Sequence, residues 1–84
     1  MKGYCITFRS VTFAQQGQRL LQQAHIASQL LRTPRWMEER GCGYCLNVPQ
    51  GQGAEAAQLL GQNDIGYKKV YWLAPGGEAR EVVL

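Results

Sequence analysis

A faint internal repeat constrains the fold of this chain more than any other feature. The pair Leu20-Leu21 followed by Ile26 recurs as Leu59-Leu60 followed by Ile65, an offset of 39 residues. The same offset superposes the first predicted strand on the third and the second on the fourth, which divides the chain into two βαβ halves. Two such halves with right-handed crossovers form the ferredoxin-like βαββαβ fold. We therefore predict an α+β domain with a four-stranded antiparallel sheet and two helices on one face.

Local patterns place the individual elements. Runs of β-forming residues predict strands over about 4–8, 26–32, 43–48 and 65–73. Apolar residues at helical spacing predict helices over about 11–24 and 54–62, with Ser10 as the N-cap of the first and Phe13 on its apolar face. Pro34 could begin one or two further helical turns within 34–40. Residues 1–75 are expected to form a single domain, and 76–84 a polar tail whose last three residues could add a short edge strand.

Composition limits the classes of function. A net charge of +3 over 84 residues is too mild an excess to indicate nucleic-acid binding by itself. No stretch has the layout of a signal peptide, and no apolar run approaches the roughly 20 residues that a membrane helix needs. Three cysteines, an odd number, fit a secreted disulfide scaffold poorly. We expect a cytoplasmic protein with reduced thiols, without membrane or nucleic-acid partners.

The segment Gly41-Cys42-Gly43-Tyr44-Cys45 is the most promising chemical feature. In the predicted topology the end of strand one, the start of helix one and the loop 33–42 share one end of the domain. Cys42 is therefore expected near Arg9 and near the free N–H groups of helix one, which favour a thiolate. Cys5 is expected to be a small buried hydrophobic residue, and Cys45 to point to one face of the sheet.

Other chemistries of these residues are weaker. The Cys-x-x-Cys spacing suits a redox pair, but residues i and i+3 of a strand point to opposite faces, so a Cys42–Cys45 disulfide would need a bulge or turn at Gly43. The two cysteines with His25 supply three metal ligands, whereas structural zinc normally takes four. RNA binding is disfavoured because the third strand offers only Tyr44 as an aromatic platform.

Several short motifs resemble those of a known family over roughly residues 4–72. They are Ile6-Thr7-Phe8-x-Ser10, Leu20-Leu21, Thr33-Pro34-Arg35 and Cys42-Gly43-x-x-Leu46. Together they resemble the small bacterial family called putative selenium/sulfur carrier protein-like. The resemblance implies that Cys42 is the carrier thiol and that Thr33, Pro34, Arg35 and Gly43 are its motif neighbours. This chain departs from the family pattern in lacking serine-rich sequence before Cys42 and in having Cys45 where a small residue is expected.

The leading hypothesis is a carrier rather than a turnover enzyme. Cys42 would accept persulfide sulfur or selenium from a donor such as a cysteine desulfurase and pass it to an acceptor protein, without a cofactor. Arg35 would bias the thiolate, Gly43 would permit close approach of a partner, and Ser10 would position helix one. Cys45 could act as a resolving thiol. The alternatives are a non-catalytic interaction domain that pairs through an exposed sheet edge or its flat sheet face, and a thiol–disulfide redox protein using both cysteines. The chain could also form a homodimer.

Overall fold

The computed structural model describes residues 3–33, 43–74, 76 and 78–82. Its elements, in chain order, are β1 (Gly3–Phe8), α1 (Val11–Gln23), β2 (Gln29–Arg32), β3 (Tyr44–Val48), a 3-10 turn (Gln50–Gln52), α2 (Gly53–Gln62), β4 (Val70–Leu73) and β5 (Ala79–Val82). The helical turns expected within 34–40 lie outside the described residues. Within the described ranges, no helix is long and apolar enough to cross a membrane.

The sheet has five strands rather than the four of the predicted ferredoxin-like fold, so that prediction is wrong. All neighbouring strands are antiparallel, in the order β2-β3-β1-β4-β5. The extra strand, β5, begins at Ala79, three residues before the edge strand that the sequence suggested over 82–84. Most of its side chains are exposed, so it lacks the apolar alternation that marks a strand.

Contacts with β4 and the residue before it hold β5 in place. The Lys69 ammonium lies 3.7 Å from the Glu81 carboxylate, and the Arg80 guanidinium lies 5.8 Å from the centroid of the Trp72 ring. Pairs of this kind across neighbouring strands each contribute a few tenths of a kcal/mol, up to about 1 kcal/mol. Because β5 contributes charged side chains to these pairs and lacks apolar alternation, the pattern that marks a strand does not predict it.

Alternation along the strands separates the sheet into two faces. Both helices pack on one face, where their apolar residues meet those of β1, β3 and β4 in the main core: Ile6, Phe8, Ala14, Leu21, Leu46, Val48, Ala56, Leu60 and Val70. The opposite face carries a smaller cluster of Cys5, Cys45 and Leu73, with Leu31 and Tyr71 packed against it. The cysteines of the sheet are therefore on the face away from the helices.

Gly17 allows α1 to approach the sheet and α2 closely. A β-carbon at this position would lie 3.1 Å from a methyl of Leu60, 3.2 Å from one of Leu46 and 3.2 Å from the tip of the Phe8 ring. The backbone of α1 thus packs so closely at Gly17 that it leaves little room for a side chain there. The buried residues of α1 are Ala14, Gly17 and Leu21, and Phe13 lies outside this buried face, contrary to the sequence expectation.

The internal repeat corresponds to the way the helices end. At the end of α1, the Ile26 N–H donates to the Leu21 carbonyl at 2.8 Å and the His25 N–H to the Gln22 carbonyl at 3.1 Å. These are the two hydrogen bonds of a Schellman motif, in which the residue after the C-cap takes a left-handed conformation. His25 does so, with φ of 61°.

The end of α2 repeats this motif 39 residues later. The Ile65 N–H donates to the Leu60 carbonyl at 2.9 Å, and the Asp64 N–H to the Gly61 carbonyl at 3.3 Å. Asp64 has φ of 57°. The apolar pair of the repeat, Leu60 with Ile65, is the hydrophobic contact that usually accompanies the motif. The sequence repeat thus arises because the two helices end in equivalent C-cap motifs.

A β-bulge precedes β4. The Lys68 N–H donates to the Thr7 carbonyl at 2.7 Å, whereas the Thr7 N–H donates to the Lys69 carbonyl at 2.8 Å, so two residues oppose one. The buried Thr7 hydroxyl accepts from the Lys69 N–H at 3.0 Å and donates to the Lys69 carbonyl at 3.2 Å. The regular strand consequently begins at Val70, five residues later than predicted.

Two glycines of α2 provide a matched test of the packing. A β-carbon on Gly53 would overlap the ring of Tyr4, whereas one on Gly61 would meet no atom within 4 Å. Gly53→Ala is expected to lower the free energy of unfolding by about 1–3 kcal/mol through overpacking. Gly61→Ala is expected to leave it unchanged or raise it by up to about 1 kcal/mol, because alanine favours the helix. Denaturant unfolding of both variants checks this, and equal effects would contradict the packing.

The strain at the end of α1 can also be tested. His25→Gly is expected to raise the free energy of unfolding by about 0.5–1 kcal/mol, because glycine adopts the left-handed conformation without steric cost. His25→Ala is the control, since alanine retains the β-carbon and gains nothing at positive φ. Thermal unfolding of the two variants should separate them, with the glycine variant the more stable; the reverse order would show that His25 is not strained.

Candidate functional site

One end of the sheet brings together the ends of three strands. Phe8 at the end of β1 pairs with Tyr44 at the start of β3, and Tyr44 pairs with Arg32 at the end of β2. Beyond the last pair, the Thr33 N–H donates to the Gly43 carbonyl at 3.0 Å. The chain therefore leaves the sheet at Thr33 and returns to it at Gly43, in neighbouring positions. We refer to this end of the sheet as the Thr33–Gly43 end.

The residues that the sequence analysis centred on lie between these two points. Pro34, Arg35 and Cys42 are outside the described residues. Cys42 is nevertheless bonded directly to Gly43, which is buried. The predicted carrier thiol is thus attached to the end of the sheet where β1 finishes and β3 begins.

The N-terminus of α1 lies at this same end. Ser10, two residues after Phe8, has the extended conformation of an N-cap (φ −143°, ψ 161°), and its hydroxyl accepts from the Phe13 N–H at 3.4 Å. The contact is long for a hydrogen bond, so this cap is a weak one. Helix α2 begins at the opposite end, where Gly53 contacts Tyr4 near the start of β1. Of the two helices in the described residues, only α1 therefore directs its N-terminal N–H groups toward the Thr33–Gly43 end.

Cys5 and Cys45 form a buried pair of free thiols on the face away from the helices. Both side chains are completely buried. In the β1–β3 register Cys45 lies opposite Thr7, and Cys5 lies opposite Asn47, so the cysteines are diagonal neighbours. Diagonal positions are separated by about 7–8 Å between Cα atoms, at or beyond the span of a disulfide. The register therefore favours two free thiols over a disulfide, and a hydrogen bond joins the two side chains.

This hydrogen bond shifts the pKa values of the two thiols in opposite directions. The hydrogen bond to Cys45, together with burial, raises the pKa of the Cys5 thiol well above its usual range. The same hydrogen bond lowers the pKa of Cys45, although burial acts in the opposite direction. In the pair, Cys5 is thus the proton donor and Cys45 is the thiol that ionises first.

Thr33 adds to the polarity beside Cys45. The residue is 7% exposed, and its hydroxyl oxygen forms no hydrogen bond of good geometry with the rest of the described chain. Its proximity to the Cys45 sulfur contributes, after Cys5, to the lowered pKa of that thiol. A buried hydroxyl without a regular partner is uncommon, because its desolvation is not offset. Thr33 thus links the Cys5–Cys45 pair to the Thr33–Gly43 end.

The contact between Cys5 and Cys45 is not among the sequence-based predictions, which treat the two residues separately. The signal was available, because the predicted topology pairs β1 with β3 and each cysteine alternates with a core residue, Ile6 or Leu46. His25, by contrast, lies after the far end of α1, away from the cysteines. The ranges that the structure describes contain no cluster of three or more histidine, cysteine or acidic side chains that could hold a metal ion.

Comparison with protein families gives a match over residues 3–72 to the family described as Putative Se/S carrier protein-like. The chain belongs to this family. The matched region extends from β1 to Trp72 in β4, so β5 lies beyond it. No curated protein and no solved structure matches the chain. In this Se/S carrier family member, Thr33, Gly43, Cys42 and the Cys5–Cys45 pair all fall inside the matched region.

The thiol pair of this Se/S carrier family member can be tested by titration. In a Cys42→Ser background, Cys5→Ala is expected to raise the pKa of Cys45, because the thiolate loses its hydrogen-bond donor. Cys5→Ser, which keeps a donor, should raise it less. The ultraviolet absorbance of the thiolate as a function of pH measures both. If neither substitution moves the first transition, the hydrogen bond between the two thiols does not control the acidity of Cys45.

Proposed function

We propose that this protein carries sulfur or selenium on Cys42. The burial of the other two cysteines is the observation that supports this assignment. A carrier thiol must touch the reactive sulfur of a donor and later that of an acceptor, but Cys5 and Cys45 are completely enclosed in the sheet. Cys42 is the remaining cysteine of three. The family description supplies the chemical class, a carrier of selenium or sulfur.

The transfer is a thiol exchange that conserves electrons. The Cys42 thiolate attacks the outer sulfur of a persulfide on the donor protein. The bond between that sulfur and the donor cysteine breaks, and the donor cysteine leaves as a thiolate. Cys42 then holds the persulfide, and an acceptor thiolate removes the sulfur by the same step in reverse. The oxidation state of the transferred sulfur does not change, so the exchange requires neither a redox cofactor nor an external oxidant.

The Thr33–Gly43 end favours an anionic sulfur. The N-terminus of α1 directs unpaired N–H groups there, and such groups stabilise a thiolate and lower its pKa. Arg35 is the second source of positive charge that we assign to the site, and Gly43 keeps the chain next to Cys42 free of a side chain. These reactions require reduced thiols, which we expect in the cytoplasm, with a cysteine desulfurase as the donor class.

Cys45 has no part in this transfer as we propose it. A resolving thiol must reach the sulfur on Cys42, whereas Cys45 is enclosed between its neighbours on β1 and β2 and accepts a hydrogen bond from the Cys5 thiol. The burial of Cys45 therefore supports a carrier with one active thiol over a redox protein that cycles between Cys42 and Cys45.

Persulfide loading tests the proposal. The reduced protein is incubated with a small-molecule persulfide, or with a cysteine desulfurase and cysteine, and its intact mass is measured. We expect a gain of one sulfur atom in the wild type and in Cys45→Ser, and none in Cys42→Ser. Peptide mapping should place the added sulfur on Cys42. Loading of Cys42→Ser to the wild-type extent, or a sulfur found on Cys45, would show that the assignment is wrong.

A further inference from the structure

A cleft lies beside the Thr33–Gly43 end, between the start of α1 and the connection from α2 to β4. Its volume is about 260 Å³, and its lining residues are Arg9, Phe13, Asp64, Gly66, Tyr67 and Lys68. Two features described above form its walls. The left-handed Asp64 turns the chain at the end of α2, and the β-bulge opposite Thr7 directs residues 66–68 past the end of β1.

Phe13 supplies an apolar surface to this cleft. It is 43% exposed, more than any other large hydrophobic side chain in the described residues. It lies in the first turn of α1, beside rather than within the buried face of Ala14, Gly17 and Leu21. Tyr67 adds a second, half-buried aromatic ring to the same cleft. Exposed aromatic residues next to a concavity are typical of the anchoring points of protein interfaces.

The charges around Phe13 favour an acidic partner. Among the lining residues that the structure describes, Arg9 and Lys68 place two positive charges against one carboxylate, that of Asp64. The exposed Arg32 lies at the same end of the sheet. Complementary charge at the edge of an apolar contact steers a partner into place and fixes its orientation.

The covalent chain limits the distance between this cleft and Cys42. Phe8 pairs with Tyr44, Arg9 follows Phe8, and Cys42 precedes Tyr44 by two residues. The covalent chain and the pairing distance therefore keep the Cα atoms of Arg9 and Cys42 within roughly 17 Å of each other. A protein that occupied the cleft and extended about this far beyond Arg9 would reach the carrier thiol.

We propose that this cleft is the docking site for the protein that delivers sulfur or selenium to Cys42, and that the docked segment combines acidic side chains with an apolar side chain that packs on Phe13. The inference rests on the proposed function, since it identifies the surface through which the same thiol is loaded. Docking accelerates the transfer by holding the donor persulfide near Cys42. A small persulfide does not use the cleft, so its reaction with Cys42 is independent of Phe13.

A charge series at Phe13 tests this docking site. The loading rate of Cys42 is measured with a cysteine desulfurase and, separately, with a small-molecule persulfide, for the wild type, Phe13→Ala, Phe13→Lys and Phe13→Glu. Loss of an aromatic anchor should slow loading by the desulfurase about tenfold in Phe13→Ala. Phe13→Lys should be impaired less and Phe13→Glu more, because the cleft receives an acidic segment. The rate with the small persulfide should stay unchanged in Phe13→Ala.

Two controls make the outcomes decisive. Arg19→Glu changes net charge on the exposed side of α1 outside the cleft, and should leave loading by the desulfurase near the wild-type rate. Phe13→Glu is expected to remain folded, because a glutamate three residues after the N-cap Ser10 completes a capping box. Circular dichroism and thermal unfolding verify the fold of each variant.

Each remaining outcome has a separate meaning. If the small persulfide fails to load Cys42 in the wild type, the proposed function is wrong. If the desulfurase loads Phe13→Ala and Phe13→Glu as fast as the wild type, or loads the wild type no faster than the small persulfide does, the docking site is wrong. A faster rate for Phe13→Glu than for Phe13→Lys overturns the acidic partner. A dimer in sedimentation that dissociates in Phe13→Glu shows that a second copy occupies the cleft instead.

Discussion

The pairing of β1 with β3 on one side and β4 on the other determines where every candidate residue lies. Its register sets Phe8 against Tyr44, and thereby brings the start of α1 to the point where the chain returns to the sheet at Gly43. The same strand carries the alternation that sends Phe8 into the main core and Cys5 to the opposite face. A slip of one residue in this register would exchange those faces, so the apolar packing of β1 also fixes the geometry around the thiols.

Burial and attachment give the cysteines different chemistry. The two in the sheet are held in a hydrogen-bonded pair in which one thiol retains its proton and the other ionises more readily. Neither side chain is exposed, so the lowered pKa of Cys45 does not make it available to another protein. Reactivity of a cysteine requires both a thiolate and access. Cys42 is separated from that enclosed pair by the buried Gly43 and by the first residue of β3.

Local sequence signals predicted the helices well and two of the strands poorly, for a single physical reason. The apolar period and Ser10 placed α1 to within one residue at its end. However, β2 and β4 were predicted to begin at Ile26 and Ile65, which are apolar because they complete the helix C-caps and pack on the helices that precede them. A strand-like isoleucine can thus belong to the end of a helix. Strand β5 is held against β4 by the Lys69–Glu81 and Arg80–Trp72 pairs, and its exposed, charged residues show no apolar alternation that would mark a strand.

The candidate site was predictable to the extent that topology alone determines it. The common end of β1, α1 and the segment before Cys42 follows from the order of the elements, whereas the cleft beside it does not. That cleft depends on a left-handed aspartate, on two lysines opposing one threonine, and on a phenylalanine displaced from the buried face of its helix. None of these contributes to a regular apolar period. If Cys42 is the carrier thiol, as we propose, this irregular surface is where its donor would be recognised, because there the backbone departs from regular structure.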